Sequence, residues 1–323
     1  MNGPTELNGL ENLANYSYEE MLEQNLISFL DWGFINVGGY TNNNIPTSGA
    51  YGGDFSRLRP VKDERYDDGQ VWEAARMNWV YETGLSASTQ PISISGLYVG
   101  STFRPANSGY IIDYPHGRII FDTAISQTSV VKMSYSSKWV YVTSTSNVPW
   151  LRIGQKASFR PDNSNFLVGS GDYSYYSESR IQLPAIAIEV VDSQKRGFQL
   201  GGNQWNYSKV NFFIIAEDKN AVDRLASIID NQHQKTIYLY DANLVAANNA
   251  FPLNQDGSPI NNFPTYPTLV RYSGDGGYML TRSVLYGKMT FVESQIEQRQ
   301  QLTPNLYQRC VGVRTEAILT NII

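Results

Sequence analysis

Cysteine is nearly absent from this chain: Cys310 is the single thiol among 323 residues. No disulfide can form within the chain, so its fold needs no oxidising compartment. Cys310 reads as a small buried hydrophobe on a strand. Histidine is as scarce, with only His116 in a turn and His233 trailing a helix. Zinc takes about four N, S or O ligands, and no Cys/His cluster supplies them; both imidazoles read as solvated side chains. Charged residues make up 17% of the chain and the net charge is −5, so no basic excess exists to neutralise phosphates. That argues against a dedicated nucleic-acid binder. No apolar run approaches the roughly eighteen residues of a membrane helix. The opening Met1-Asn2-Gly3-Pro4 has neither a basic region nor an apolar run, and does not read as a signal peptide.

What the chain has in plenty is tyrosine, with 22 residues, and glycine, with 26. Tyrosine offers a large amphipathic contact area at low entropic cost, which suits protein–protein surfaces and equally suits sugar stacking. The stretch from Pro91 to Val142 carries the clearest pattern. Ile92 and Ile94 alternate with Ser93 and Ser95; Val131, Met133 and Tyr135 repeat the period, as do Trp139 and Tyr141. Alternation of β-branched and aromatic residues predicts half-buried strands. Between two such runs, Tyr114-Pro115-His116-Gly117 has proline and glycine where a type I hairpin turn wants them. A β-sandwich-like module is expected over residues 89–145.

Upstream, residues 1–88 read as a polar arm, a helix and contact loops. Ser17 and Glu20 form a capping box, with Tyr16 placed to staple onto Met21. Leu22, Leu26, Phe29 and Leu30 keep helical spacing, and Gly33 is the expected C′ stop. Residues 36–60 form a long loop rich in Gly, Asn, Thr and Pro, of the kind that contacts something. Val71 to Tyr81 fits a short helix or a strand pair.

Downstream, residues 146–323 read as an α+β core with long loops. A polar stretch near 145–180 leads to a strand at Ala185–Val191. Val210–Ala216, with Phe212, Phe213, Ile214 and Ile215, is apolar on both faces. Asp218 or Asn220 caps a helix to about Gln232 whose apolar face is Val222, Leu225, Ala226 and Ile229. Thr236–Tyr240 is a strand, 241–267 a loop, and Val284–Val292 and Tyr307–Leu319 close the fold. The order predicts an antiparallel or mixed sheet with one packed helix.

No constellation points to chemistry. The acidic run Asp63, Glu64, Asp67, Asp68 lacks calcium-loop spacing and reads as a solvated turn, as does Asn254-Gln255-Asp256-Gly257-Ser258. Asp113 and Asp122 are carboxylates of a hairpin, and nothing pairs them for glycoside hydrolysis. Gly274-Asp275-Gly276-Gly277 lacks the Lys-Ser/Thr of a phosphate loop, and no G-x-S-x-G occurs. Asn15-Tyr16-Ser17 and Asn206-Tyr207-Ser208 match the glycosylation pattern but are discounted without a secretion signal. The aromatics Trp72, Trp79, Trp139, Tyr141, Trp150 and Trp205 are core by default and contact anchors where exposed. The sequence therefore singles out no catalytic, cofactor-binding or metal-ligating residue.

Four blocks, in order, resemble a group of tailed-bacteriophage virion proteins. They are Leu26–Phe34; Val71-Trp72-Glu73 with Trp79–Glu82; Ile94–Val99 with Ile112–Phe121; and Tyr238-Leu239-Tyr240-Asp241. The resemblance implies a neck or head–tail connector, a homo-oligomeric ring subunit that meets portal or adaptor and tail proteins. It implies a virion component assembled in the bacterial host cytoplasm, with DNA only as non-specific passage through a channel. It carries over no catalytic residue and no cofactor. The strand–helix–strand core is loosely similar to tail-terminator rings, an analogy of fold alone. Long contact loops fit it, since heterologous interfaces need two different patches per subunit. The expectation is a structural, non-enzymatic protein. The alternative is a carbohydrate- or receptor-binding β module of a tail or baseplate.

Overall fold

The computed structural model describes residues 15–45, 53–106, 108–147, 166–167, 181–197, 204–247, 251–260, 264–270 and 285–319. The expected polar arm at 1–14, most of the 145–180 stretch, Trp150 and Gly274–Gly277 lie outside them. The chain is mostly β and of α+β class, built on two curled sheets.

Helix α1 spans Tyr18–Asn36. Its capping box forms as the sequence predicts: Glu20 N donates to Ser17 Oγ (3.2 Å), and Ser17 N donates to the Glu20 carboxylate (2.7 Å). Its end does not fall at Gly33, which lies inside the helix. The buried Phe34 and Ile35 carry the helix one turn further, onto the core. The stop is Gly38, at φ +92°, with Gly38 N donating to Ile35 O and Gly39 N to Phe34 O. That pair of bonds is a Schellman motif, and its left-handed position favours glycine.

Nine short strands follow: β1 (Tyr40–Asn43), β2 (Arg57–Pro60), β3 (Val71–Glu73), β4 (Gly96–Val99), β5 (Thr102–Pro105), β6 (Tyr110–Asp113), β7 (Arg118–Phe121), β8 (Val131–Met133) and β9 (Tyr135–Lys138). Seven of them form one sheet in the order β5-β4-β8-β2-β3-β7-β6. It folds around a single core in which Leu97, Val131 and Met133 meet Trp72, Ile112, Ile119 and Phe121. The module thus reaches upstream of residue 89, because β2 and β3 are its middle strands. The Val71–Tyr81 segment is one short strand followed by irregular backbone, in which Trp79 bridges to Ser137. The β6–β7 hairpin has the expected turn: Asp113 pairs with Arg118, and Gly117 lies at φ +66°. A Cβ on Gly117 would sit 2.6 Å from Arg76 O, so backbone approach as well as φ calls for glycine. The alternation at Ile94, Val131, Met133 and Tyr135 buries those residues. Past Lys138 it is out of phase with expectation: Val140 and Val142 are buried, while Trp139 points outward.

The second sheet holds β10 (Tyr141–Ser144), β13 (Ala185–Gly197), β14 (Gln204–Ala216), β15 (Thr236–Tyr240), β16 (Leu285–Ile296), β17 (Gln300–Thr303) and β18 (Leu306–Leu319); a short pair, β11 (Phe166–Leu167) and β12 (Ile181–Gln182), stands apart. The order is β10-β13-β14-β18-β16-β15, with β17 on β18. Every pairing in it is antiparallel except β10–β13, so the sheet is mixed. Helix α2 (Lys219–Asp230) is capped by Asp218 and buries Val222, Leu225, Ala226 and Ile229, as its spacing predicts. The loop expected at 241–267 contains two short helices, α3 (Ala242–Ala247) and α4 (Tyr266–Leu269).

Both α1 and α2 pack on the same face of this sheet. Leu22, Leu26 and Leu30 share one apolar cluster with Leu225, Ile214, Phe212, Val311 and Phe291. The N-terminal helix thus belongs to the core. It also closes the curl: Glu23 accepts from Val190 N on β13, while two residues on Asn25 bonds both backbone groups of Tyr240 on β15. Strands near opposite ends of the sheet order therefore meet across α1, so the sheet is an open barrel and α1 fills its gap. The other face of β14 carries a second cluster of Phe213, Ile215, Leu183, Ala187, Leu306 and Cys310, so the strand is covered on both sides.

Candidate functional site: exposed faces and the groove at the junction

The residues that composition alone made candidates fall apart in space. His116 is exposed, its Nδ1 2.8 Å from Asp113 Oδ2, and His233 is exposed beyond α2. Asp63 belongs to an ion-pair network, held by Arg65 (2.8 Å) and approached by the buried Arg118 (3.4 Å). Hydrogen bonds from Arg65 hold its carboxyl below the usual range, at about 2, against the opposing pull of burial. Arg118 also donates to Glu73 on the neighbouring strand (3.2 Å). Residues 254–258 form a turn closed by Asn254 N to Ser258 O, and Gly257 O accepts from Tyr114 N of the module hairpin. Cys310 is buried, and burial pushes its thiol up to about 12. Asn206 is fully buried on β14, which is no place for a glycan. Among the described residues no three His, Cys, Asp or Glu side chains gather as metal ligands, and no helix is long and apolar enough to cross a membrane.

Module and open barrel meet at Lys138. Its ammonium donates to Asp31 of α1 (2.6 Å) and to Glu82 (2.6 Å), and lies 5.1 Å from the centre of the Tyr81 ring. Burial alone would push the ammonium down, yet the two carboxylates hold it above its ordinary value. Burial raises Glu82, and Lys138 offsets only part of that rise. A cavity of about 390 Å³ opens beside this cluster, walled by Trp32, Tyr81, Tyr240, Phe251 and Tyr266.

A groove of about 440 Å³ lies on another side of Lys138, between β1, the Phe55 turn, Gln182–Pro184 and the start of α2. Trp139 stands in it at 42% exposure, with Phe55 also exposed beside Arg76, whose guanidinium lies 5.7 Å from the Phe55 ring centre. Among the described residues Arg76 meets no carboxylate. Gln182 is buried; its Nε2 donates to Lys138 O (2.6 Å), while its Oε1 has no partner among the described residues. Sequence reasoning missed this site, because its parts are spread over more than a hundred residues of the chain. The signal on offer was Trp139, whose neighbours Val140 and Val142 suffice for the strand's buried face.

Other exposed apolar residues include a cluster on the module and two separate valines on the barrel. On the module, the Tyr98 and Phe103 rings meet tilted at 56°, 5.1 Å between centres, across the β4–β5 hairpin, with Val130 beside it. On the barrel, Val191 and Val292 sit outward at bulges in β13 and β16. Between those strands a shallow surface carries Arg196, Lys209 and Arg314 against Asp192, Glu293 and Glu316. That balance gives it no net charge to attract phosphates.

The chain matches no known protein family and no curated protein.

Proposed function

We propose that the chain is a structural virion component, a neck or connector ring subunit that joins the capsid portal to the tail of a tailed bacteriophage. It acts by assembly contacts rather than by turnover. The observation that carries the reading is a pair of unlike exposed surfaces, the apolar Tyr98–Phe103–Val130 cluster on the module and the charged surface between β13 and β16 on the barrel, with Val191 and Val292 exposed on those two strands. A head-to-tail ring contact joins two different patches of each subunit, and rotation then closes the ring. Exposed aromatic anchors set among polar residues are the usual centres of such contacts. Neighbouring subunits, portal or adaptor proteins and tail proteins are the partners. DNA only passes through the channel, and the place of action is the virion, assembled in the host cytoplasm.

Electron microscopy of the protein mixed with a portal or tail ring tests this. A closed ring is expected, and the double change Tyr98→Ser, Phe103→Ser should abolish it while leaving a folded monomer. A particle reconstruction with this chain at a fibre tip, away from the tail axis, would overturn it.

A further inference from the structure

The groove at Lys138 is built for a ligand that is apolar on one face and hydrogen-bonding around its rim. We propose that it binds a neutral saccharide. Trp139 supplies an exposed indole face, and Phe55 a second apolar wall. The C–H face of a pyranose stacks on such a surface as other apolar groups do. The polar groups come in both senses. Arg76 brings up to five N–H donors, and no protein carboxylate among the described residues uses them. Gln182 Oε1 is an acceptor with no donor among the described residues, and Asp218 lines the opposite wall. A sugar hydroxyl is donor and acceptor at once, so one ring can satisfy both walls.

Other ligand classes fit less well. An anion would suit Arg76 but face the carboxylate of Asp218. A purely apolar ligand would bury the Arg76 guanidinium with nothing to accept its hydrogen bonds, which is costly. The volume, about 440 Å³, is within the roughly 300–1,000 Å³ typical of small-molecule sites. Ring assembly and this groove use different residues, so either can fail alone.

The test is saturation-transfer NMR and calorimetry on the full chain, with maltotriose, tri-N-acetylchitotriose and mannotriose as probes and inorganic phosphate as the anion control. At least one trisaccharide should bind saturably. Trp139→Ala should weaken it by about tenfold or more, Arg76→Ala by a smaller factor, and Trp139→Phe should keep most of the affinity. Tyr98→Ser, outside the groove, should change nothing. If Trp139→Ala does not fold, Trp139→Phe together with Arg76→Ala carries the comparison. Binding of none of the three sugars, binding of phosphate alone, or sugar binding indifferent to both Trp139 and Arg76 would overturn the proposal.

Discussion

The open barrel and the module solve one problem in two ways. The barrel has strands of up to 14 residues, and its core is almost wholly aliphatic and aromatic, drawn from two helices and six strands. The module has strands of three or four residues, too short to hold a register by backbone bonding alone. Its buried side chains are correspondingly tied by polar anchors. Trp72 Nε1 donates to Gly69 O and Trp79 Nε1 to Arg76 O, each at 2.8 Å, and Tyr135 Oη donates to Phe55 O at 2.6 Å. Arg118 spans Glu73 and Asp63 in the same region. Long strands distribute cohesion over many interchangeable contacts, whereas short strands concentrate it in a few groups that tolerate no loss.

The sharpest way to break this contrast is Arg118→Met. Removing one partner of a buried ion-pair network takes the guanidinium away from both Glu73 and Asp63, and about 3–5 kcal/mol of stability should go. In the barrel, Leu225→Ala deletes a fully buried side chain between α2 and the sheet. It should cost about 2–5 kcal/mol, through lost transfer energy and the cavity left behind. Urea denaturation followed separately at the two regions would show the first change acting on the module and the second on the barrel. Equal loss at both sites in both variants would mean that they unfold as one unit.

Acid should also separate the regions. The folded-state pKa of Asp63 is depressed from 3.8 to about 2, so its contribution is present above the unfolded value and lost as pH falls through the folded one. The module's unfolding midpoint should therefore drop between pH 3.8 and about 2, and Asp63→Asn should flatten that drop. The smallest effect belongs to Ser93→Ala and Ser95→Ala, on exposed side chains ahead of β4. Each should shift stability by about 0.5 kcal/mol or less. A larger loss would mean that the extended segment 91–95 holds the module together.

Much of the barrel was legible before any coordinates, and the reason is local. Val210–Ala216 and the face Val222, Leu225, Ala226, Ile229 each carry a period that only one environment satisfies. The polar halves of the same strands, Asp192–Gly197 and Gln204–Lys209, carry no such period. They are strands because they pair with each other and because β14 also lies along β18. Pairing of that kind is a tertiary fact. Arg57–Pro60 was hidden likewise, inside a loop-like composition, yet it is the strand on which the module's two halves join. At α1 the capping box was readable, while the stop moved from Gly33 to Gly38 because Phe34 and Ile35 had a core to enter. The groove was not readable, since no local pattern records that Arg76, Trp139 and Gln182 share a wall.

The way α1 closes the barrel has a consequence for how the chain reaches its native state. Asn25 is bonded to Tyr240, 215 positions away, and Glu23 to Val190, 167 positions away. The apolar face of α1 joins the same cluster as Ile186 and Ile188 of β13 and Ile237 and Leu239 of β15. During synthesis α1 therefore emerges well before β13 and β15, the strands that seat it. Folding with contacts this distant in sequence is slow, and an uncovered amphipathic helix invites association in the meantime. Refolding from denaturant should accordingly show α1 docking in its last and slowest phase.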